Sequence, residues 1–130
     1  MGTVTPQPSR AGPPRVMIVD DQLTFRQAAR RLLEARGYDV VAEADCAACA
    51  LAAVERHEPQ AVLLDVRLGD ENGFAVCGEL TRVRPELAVL LASDAEYDHS
   101  EESIAQCGAC GFVRKSRLPQ TDLAQFWPPV

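Results

Sequence analysis

Long apolar runs are missing from this chain. None approaches the ~18–20 residues that a membrane-spanning helix needs, and the opening "MGTVTPQPSRAGPPR" lacks the apolar centre of a signal peptide. Basic charge is scarce as well. Thirteen Lys and Arg stand against nineteen Asp and Glu, for a net charge of −6 and a pI near 4.8. A protein that grips bare nucleic acid is usually basic, so this balance argues against direct nucleic-acid binding by this chain. Five cysteines are an odd number, which excludes complete internal pairing. The expectation is a cytoplasmic protein without membrane attachment. What is present suffices for one domain: 130 residues at 47% hydrophobic can bury a core without disulfides or metal. Pro, Gly, Ser and Thr dominate the start, so residues 1–14 are expected to form a disordered arm and residues 15–130 the domain.

Short apolar runs alternate with helical patterns along the rest. "RVMIVD" (15–20) reads as a buried strand. In "QLTFRQAARRLLEARG" Phe25, Ala28, Ala29, Leu32 and Leu33 share one helical face, and Gly37 is placed to end the helix. Arg26, Arg30 and Arg31 lie off that face and read as a solvated surface, with kinase docking as the functional alternative. "YDVVAEA" is a second strand, and "DCAACALAAVERH" a helix with Asp45 as its expected N-cap. "QAVLLDV" is the third strand, "FAVCGELTRV" a helix, "LAVLLAS" the fourth strand and "HSEESIAQCG" a short helix. "GFVRK" is the fifth strand, and "LPQTDLAQFW" is expected as a fifth helix. Strands apolar on both faces, alternating with helices, predict a parallel sheet covered on both sides. The fold class is α/β, a (βα)5 doubly wound five-stranded sheet. In such sheets, ligands sit beyond the carboxyl ends of the strands.

The residues delivered to that edge carry the chemistry. The first strand brings Asp20 and Asp21, the third Asp65, the fourth Ser93 and the fifth Lys115. Three carboxylates together repel, and a cation relieves them. Hard oxygen donors that do not close a full cage suit Mg2+, which keeps waters and bridges to phosphate. A carboxylate is itself a nucleophile toward phosphorus. Lys115 can reach a phosphoryl oxygen and Ser93 can donate a hydrogen bond to another.

This ordered set, in "VDD", "LLDV", "LLAS" and "GACGFVRKS", resembles the receiver domain of two-component response regulators, over Arg15 to about Trp127. The resemblance implies a flavodoxin-like sheet of order 2-1-3-4-5. It implies that Asp65 accepts a phosphoryl group from a sensor histidine kinase or a histidine phosphotransfer protein. Mg2+ would be held by Asp20, Asp21, Asp65 and the backbone carbonyl of Arg67. Ser93 and Lys115 would bind the phosphoryl group, Phe112 would be the switch aromatic, and Gly73 matches the glycine after the loop that follows the acceptor strand. "KSRLP" is similar to receivers often joined to a helix-turn-helix output domain, which implies transcription regulation; a homodimer is left open by the sequence.

The chain departs from the pattern at three places. Ser116 replaces a proline, Leu68-Gly69 replaces Met-Pro and should loosen that loop, and Asp94 replaces a small residue at the rim. Two other classes compete with a phosphoacceptor. An aspartyl-nucleophile phosphohydrolase usually carries a second acid two residues after the nucleophile, where this chain has Arg67. A pseudo-receiver would bind partners without phosphorylation. The pairs Cys46/Cys49 and Cys107/Cys110 suggest a four-cysteine zinc site, but the predicted order puts them at opposite edges and on opposite outer strands. Zn–S bonds of ~2.3 Å cannot span that. The cysteines therefore read as reduced.

Overall fold

Every predicted apolar run becomes a strand: β1 (Arg15–Val19), β2 (Asp39–Ala44), β3 (Ala61–Asp65), β4 (Ala88–Ser93) and β5 (Gly111–Arg114). The computed structural model describes residues 12–95 and 100–130. Most of the expected N-terminal arm, up to residue 11, and His99 in the predicted fourth helix lie outside the described residues. The strands form one parallel sheet in the order β2-β1-β3-β4-β5. This is the flavodoxin-like order expected from the sequence.

The sheet divides two cores by strict alternation. Met17, Val19, Val62, Leu64, Val89 and Leu91 face one side, where Ala50 and Val54 of helix α2 (Ala47–His57) and Val76 and Leu80 of α3 (Gly73–Val83) cover them. Val16, Ile18, Ala61, Leu63, Leu90 and Ala92 face the other, under Ala29 and Leu33 of α1 (Leu23–Ala35). The two-residue period of a strand sends neighbours to opposite faces, so a sheet buried twice needs an apolar residue at each position.

Three local expectations fail for identifiable reasons. "LPQTDLAQFW" is not an α-helix but two 3-10 segments, Lys115–Gln120 and Leu123–Gln125. Pro119 has no N–H to donate. Thr121 Oγ1 donates to the Arg117 carbonyl, and the Asp122 carboxylate accepts the Ala124 N–H, so side chains take over the backbone's partners. The segment still closes the second core with Leu118, Leu123 and Trp127, whose ring meets Tyr38 edge-on at 5.5 Å. Next, the N-cap of α2 is Cys46, not Asp45: the Cys46 sulfur accepts the Cys49 N–H. Helix α4 (Glu101–Gln106) starts after a Ser100 N-cap and is shorter than predicted.

Leu68-Gly69 does not loosen its loop. Arg67–Leu68 and Glu71–Asn72 pair as a small antiparallel hairpin, Gly69 takes the left-handed turn at φ +61°, and Leu68 is buried in the first core. Asn72 then caps α3 by accepting the Phe74 N–H at 2.8 Å.

Candidate functional site

The carboxyl edge gathers the charged residues that the strands deliver. Asp20 is 1% exposed, Ser93 2%, Asp65 6% and Lys115 8%, whereas Asp21 is exposed. Asp20 is turned inward because its N–H donates to the Ala44 carbonyl and so extends the β1–β2 ladder by one rung. One of its carboxylate oxygens accepts the Gln22 N–H at 2.8 Å. The other lies 2.7 Å from Lys115 Nζ, which is 3.4 Å from Asp65 Oδ2 and 4.5 Å above the Phe25 ring. Lysine is thus paired more tightly with Asp20 than with Asp65. Asp65 ends β3, and its Oδ1 accepts the Arg67 N–H at 3.1 Å.

One carboxylate oxygen from each of Asp20, Asp21 and Asp65 lies within 4.8 Å of the others. A cavity of about 190 Å3 opens beside them, lined in part by Asp21, Asp65, Arg67, Ser93 and Asp94. Ser93 Oγ accepts the Ala95 N–H at 3.1 Å, which fixes the start of the loop after β4. Asp94 is exposed at this rim. Phe112 is half-buried against the first core, facing away from the Phe25 side of the sheet. The five edge residues named from the sequence therefore come together, whereas Phe112 pairs with Leu91, two rungs short of the Ser93–Arg114 pair.

Electrostatics follow from this crowding. Burial first, and then the charge of Asp20, push the Asp65 carboxyl up to about 6, against the opposing pull of Lys115. Burial alone would lower Lys115, but its hydrogen bond to Asp20 and the charges of Asp20, Asp65 and Asp94 carry it above its ordinary value. One ammonium does not balance three carboxylates. Three hard oxygen donors, open to solvent on one side, fit a divalent cation of the Mg2+ type that keeps part of its water shell.

Comparisons with known proteins show the family. The family model described as response regulator receiver domain matches residues 16–125. This chain belongs to the response regulator receiver domain family. It is 36% identical over 102 residues to the DNA-binding transcriptional activator DevR/DosR of Mycobacterium tuberculosis, covering 78% of this chain and 47% of that protein. Over 112 residues it is 30% identical to the sensory transduction protein LytT of Bacillus anthracis, covering 82% and 45%. The chain thus spans about half the length of these relatives. Among solved structures it is similar to a two-component response regulator of the LuxR family from Aurantimonas, with a TM-score of 0.79 and 30% identity over 88% of this chain and 81% of that one. A CheY-like receiver domain protein from Methanospirillum hungatei superposes with a TM-score of 0.73 at 25% identity, covering 84% and 86%.

Within this receiver domain, sequence reasoning missed the support around the edge. Arg26 donates to the Asp20 carbonyl at 2.7 Å and to Glu43 at 3.0 Å, and Arg30 reaches the other Glu43 oxygen at 2.7 Å. These arginines are not a plain solvated face; they tie α1 to β2 and hold the backbone that carries Asp20. Burial would raise Glu43, but hydrogen bonds from Arg30 and Arg26 outweigh it and hold the carboxyl below its usual range. The available signal was Glu43, the one charged residue within the apolar run Val40–Ala44. Phe25, expected only as core, also supports Lys115 from below. Among the described residues, Cys46 and Cys49 follow β2 at the carboxyl edge, while Cys110 donates its N–H to Val89 near the start of β4. A zinc shared by both pairs is ruled out by that separation.

The raised Asp65 carboxyl has a measurable consequence for stability. A carboxyl that holds its proton more tightly when folded stabilises the fold below about pH 4, and this contribution disappears as pH rises through about 6. Two pKa units set a ceiling of about 3 kcal/mol, part of which the lost Lys115 contact offsets. In metal-free buffer Asp65→Asn is expected to exceed wild type in stability by about 1–2 kcal/mol near pH 7, with the gap closing near pH 4. Urea unfolding of both proteins with chelator present measures it, and equal stabilities near pH 7 would remove the charge-crowding argument.

Proposed function

We propose that this receiver domain accepts a phosphoryl group on Asp65 and relays it as a conformational signal. The donor is the phosphohistidine of a sensor histidine kinase or of a histidine phosphotransfer protein. A carboxylate oxygen of Asp65 attacks phosphorus, a P–O bond forms, the P–N bond breaks, and the departing imidazole takes up a proton. The observation that carries this reading is a buried carboxylate beside an open cavity, flanked by two further carboxylates and one ammonium. Asp20, Asp21, Asp65 and the Arg67 carbonyl would hold Mg2+, which supplies positive charge for the carboxylates and phosphoryl oxygens. Lys115 pairs with the acceptor's new charge, Ser93 donates its hydroxyl to a phosphoryl oxygen, and Phe112 follows Ser93 into the first core. The output is an attached domain or a separate partner, in keeping with relatives named as transcriptional regulators. The setting is cytoplasmic, the chain turns over no substrate beyond its own phosphorylation and slow dephosphorylation, and it makes no direct contact with nucleic acid.

A small-molecule phosphodonor with Mg2+, followed by intact mass, tests the reading. One added phosphoryl group per chain is expected. Continuous hydrolysis of the donor would favour a phosphohydrolase, although Arg67 stands where such enzymes need an acid. No addition under any donor would leave a pseudo-receiver.

Asp94 is expected to slow this transfer. Two unit charges ~6 Å apart interact by ~2–3 kcal/mol at an effective dielectric of 20. Solvent and the cation screen most of that, leaving ~1 kcal/mol on the barrier, or roughly fivefold in rate. Asp94→Asn, which keeps the size and removes the charge, should label about five times faster at low salt and less so at high salt. Identical time courses would show that Asp94 has no part in admitting the donor.

A further inference from the structure

Away from the carboxylate edge, two thiols at the start of α2 stand in direct contact. Cys46 Sγ and Cys49 Sγ lie 2.9 Å apart, about 1 Å beyond a disulfide bond of ~2.05 Å. Both are free; Cys46 is half-buried and Cys49 is exposed. The contact follows from the helix itself. Cys46 is the N-cap, in extended backbone, and its sulfur accepts the Cys49 N–H at 3.3 Å, which draws the third helical residue under the cap. The remaining cysteines differ: Cys77 and Cys107 are buried and donate to backbone carbonyls, and Cys110 lies at the far edge of the sheet.

We propose that Cys46 and Cys49 form a reversible redox site, a dithiol that closes to an intramolecular disulfide without rearrangement of the fold. The roles of the two sulfurs differ by position. Cys46 sits at the start of α2 with the Cys49 backbone N–H directed at its sulfur, and it is the sulfur assigned the first attack. Cys49 keeps its proton, because its hydrogen bond with Cys46 pushes its thiol up to about 11. Toward a low-molecular-weight disulfide the steps balance as follows. The Cys46 thiolate attacks one sulfur of the small disulfide and releases one thiolate. Cys49 then loses its proton and attacks the Cys46 sulfur of the mixed disulfide, releasing the second thiolate. The two protons of the protein thiols end on the two released thiols, and two electrons pass to the small disulfide.

A metal fits the same place less well. Asp45 brings a carboxylate oxygen within 4.8 Å of both sulfurs, but these are three donors on an exposed turn. Closed structural zinc sites use four.

The test needs no phosphorylation, so its outcome is independent of the function proposed above. The full chain is equilibrated with reduced and oxidised glutathione at a series of ratios, quenched by alkylation, and mapped by peptide mass. Under oxidising ratios, alkylation at Cys46 and Cys49 is expected to fall at least about tenfold, with loss of two hydrogens from the peptide that contains both. Cys77 and Cys107 should remain alkylated after unfolding, and dithiothreitol should restore the pair. Cys46→Ser keeps a good N-cap and therefore the fold; in it, Cys49 should stop at a mixed disulfide with glutathione or stay reduced. Thiols at Cys46 and Cys49 that remain fully alkylatable at the most oxidising ratio, or that are protected instead by a bound zinc ion, overturn the proposal. So does a disulfide that maps to Cys107 and Cys110 rather than to Cys46 and Cys49.

Discussion

Asp65→Asn is expected to abolish labelling by a phosphodonor, a loss of at least about 100-fold, equivalent to ~2.7 kcal/mol or more on the barrier. The amide keeps the size of the carboxylate and can still accept the Arg67 N–H, so the fold and the cavity persist. What disappears is the nucleophilic oxygen. Asp39→Asn is the matched control, since Asp39 is exposed at the opposite end of the sheet, where β2 begins. It should label like wild type. Intact mass after incubation with donor and Mg2+ reads both variants in one experiment. Labelling that survives Asp65→Asn would move the acceptor to another carboxylate and dissolve the proposed role of the edge.

Gly73→Ala should unfold the domain more readily than any other single methyl added to the glycines of its helices. A Cβ on Gly73 would collide with the Asp65 carbonyl oxygen and would stand 2.6 Å from Val66 Cα and 2.7 Å from the Val66 carbonyl oxygen. All three are backbone atoms at the end of β3, and the Gly73 N–H already donates to the Val66 carbonyl at 2.6 Å. Neither side can yield without moving the acceptor strand. Overpacking of this kind costs about 3–4 kcal/mol, or roughly 10–20 °C in Tm for a domain of this size. Gly78→Ala in the same helix has nothing within 4 Å and should gain about 0.5–1 kcal/mol from helix propensity. Thermal melts of the two alanine variants should therefore move in opposite directions. A Gly73→Ala melt that overlays wild type would mean the close approach is not rigid.

The strands and the edge were legible because they rest on patterns that the chain cannot hide. A run such as "AVLLD" must be buried on both faces, and the first charged residue after it must fall at the sheet's rim. That places Asp20 and Asp65 without reference to any partner; in β5 the first charged residue is Arg114, and Lys115 follows it past the strand's end. What escaped depends on reach or on local competition. The Arg26–Glu43 pair joins residues seventeen apart through long side chains, and neither position announces its partner in one dimension. The closer pairing of Lys115 with Asp20 than with Asp65 is a matter of 0.7 Å, the difference between 2.7 and 3.4 Å, which no periodicity encodes. At the C-terminus the apolar spacing of Leu118, Leu123 and Trp127 is compatible with a helix, but Pro119, Thr121 and Asp122 divert its hydrogen bonds. Between Asp45 and Cys46 the cap was decided by which side chain reached the third helical N–H, and that was a sulfur.

Lys115 stands on Phe25, a residue of α1 packed against the second core, while Phe112, three positions earlier, packs into the first. The charged rim therefore rests on an aromatic ring of the second layer. A protein that grips α1 and shifts the Phe25 ring changes how well Lys115 is held, and with it the affinity of the carboxylates for a cation. Thermodynamic reciprocity then requires that filling the rim with a cation change that protein's affinity by the same factor. The charged rim is thus linked through Phe25 to the helix that covers the second core.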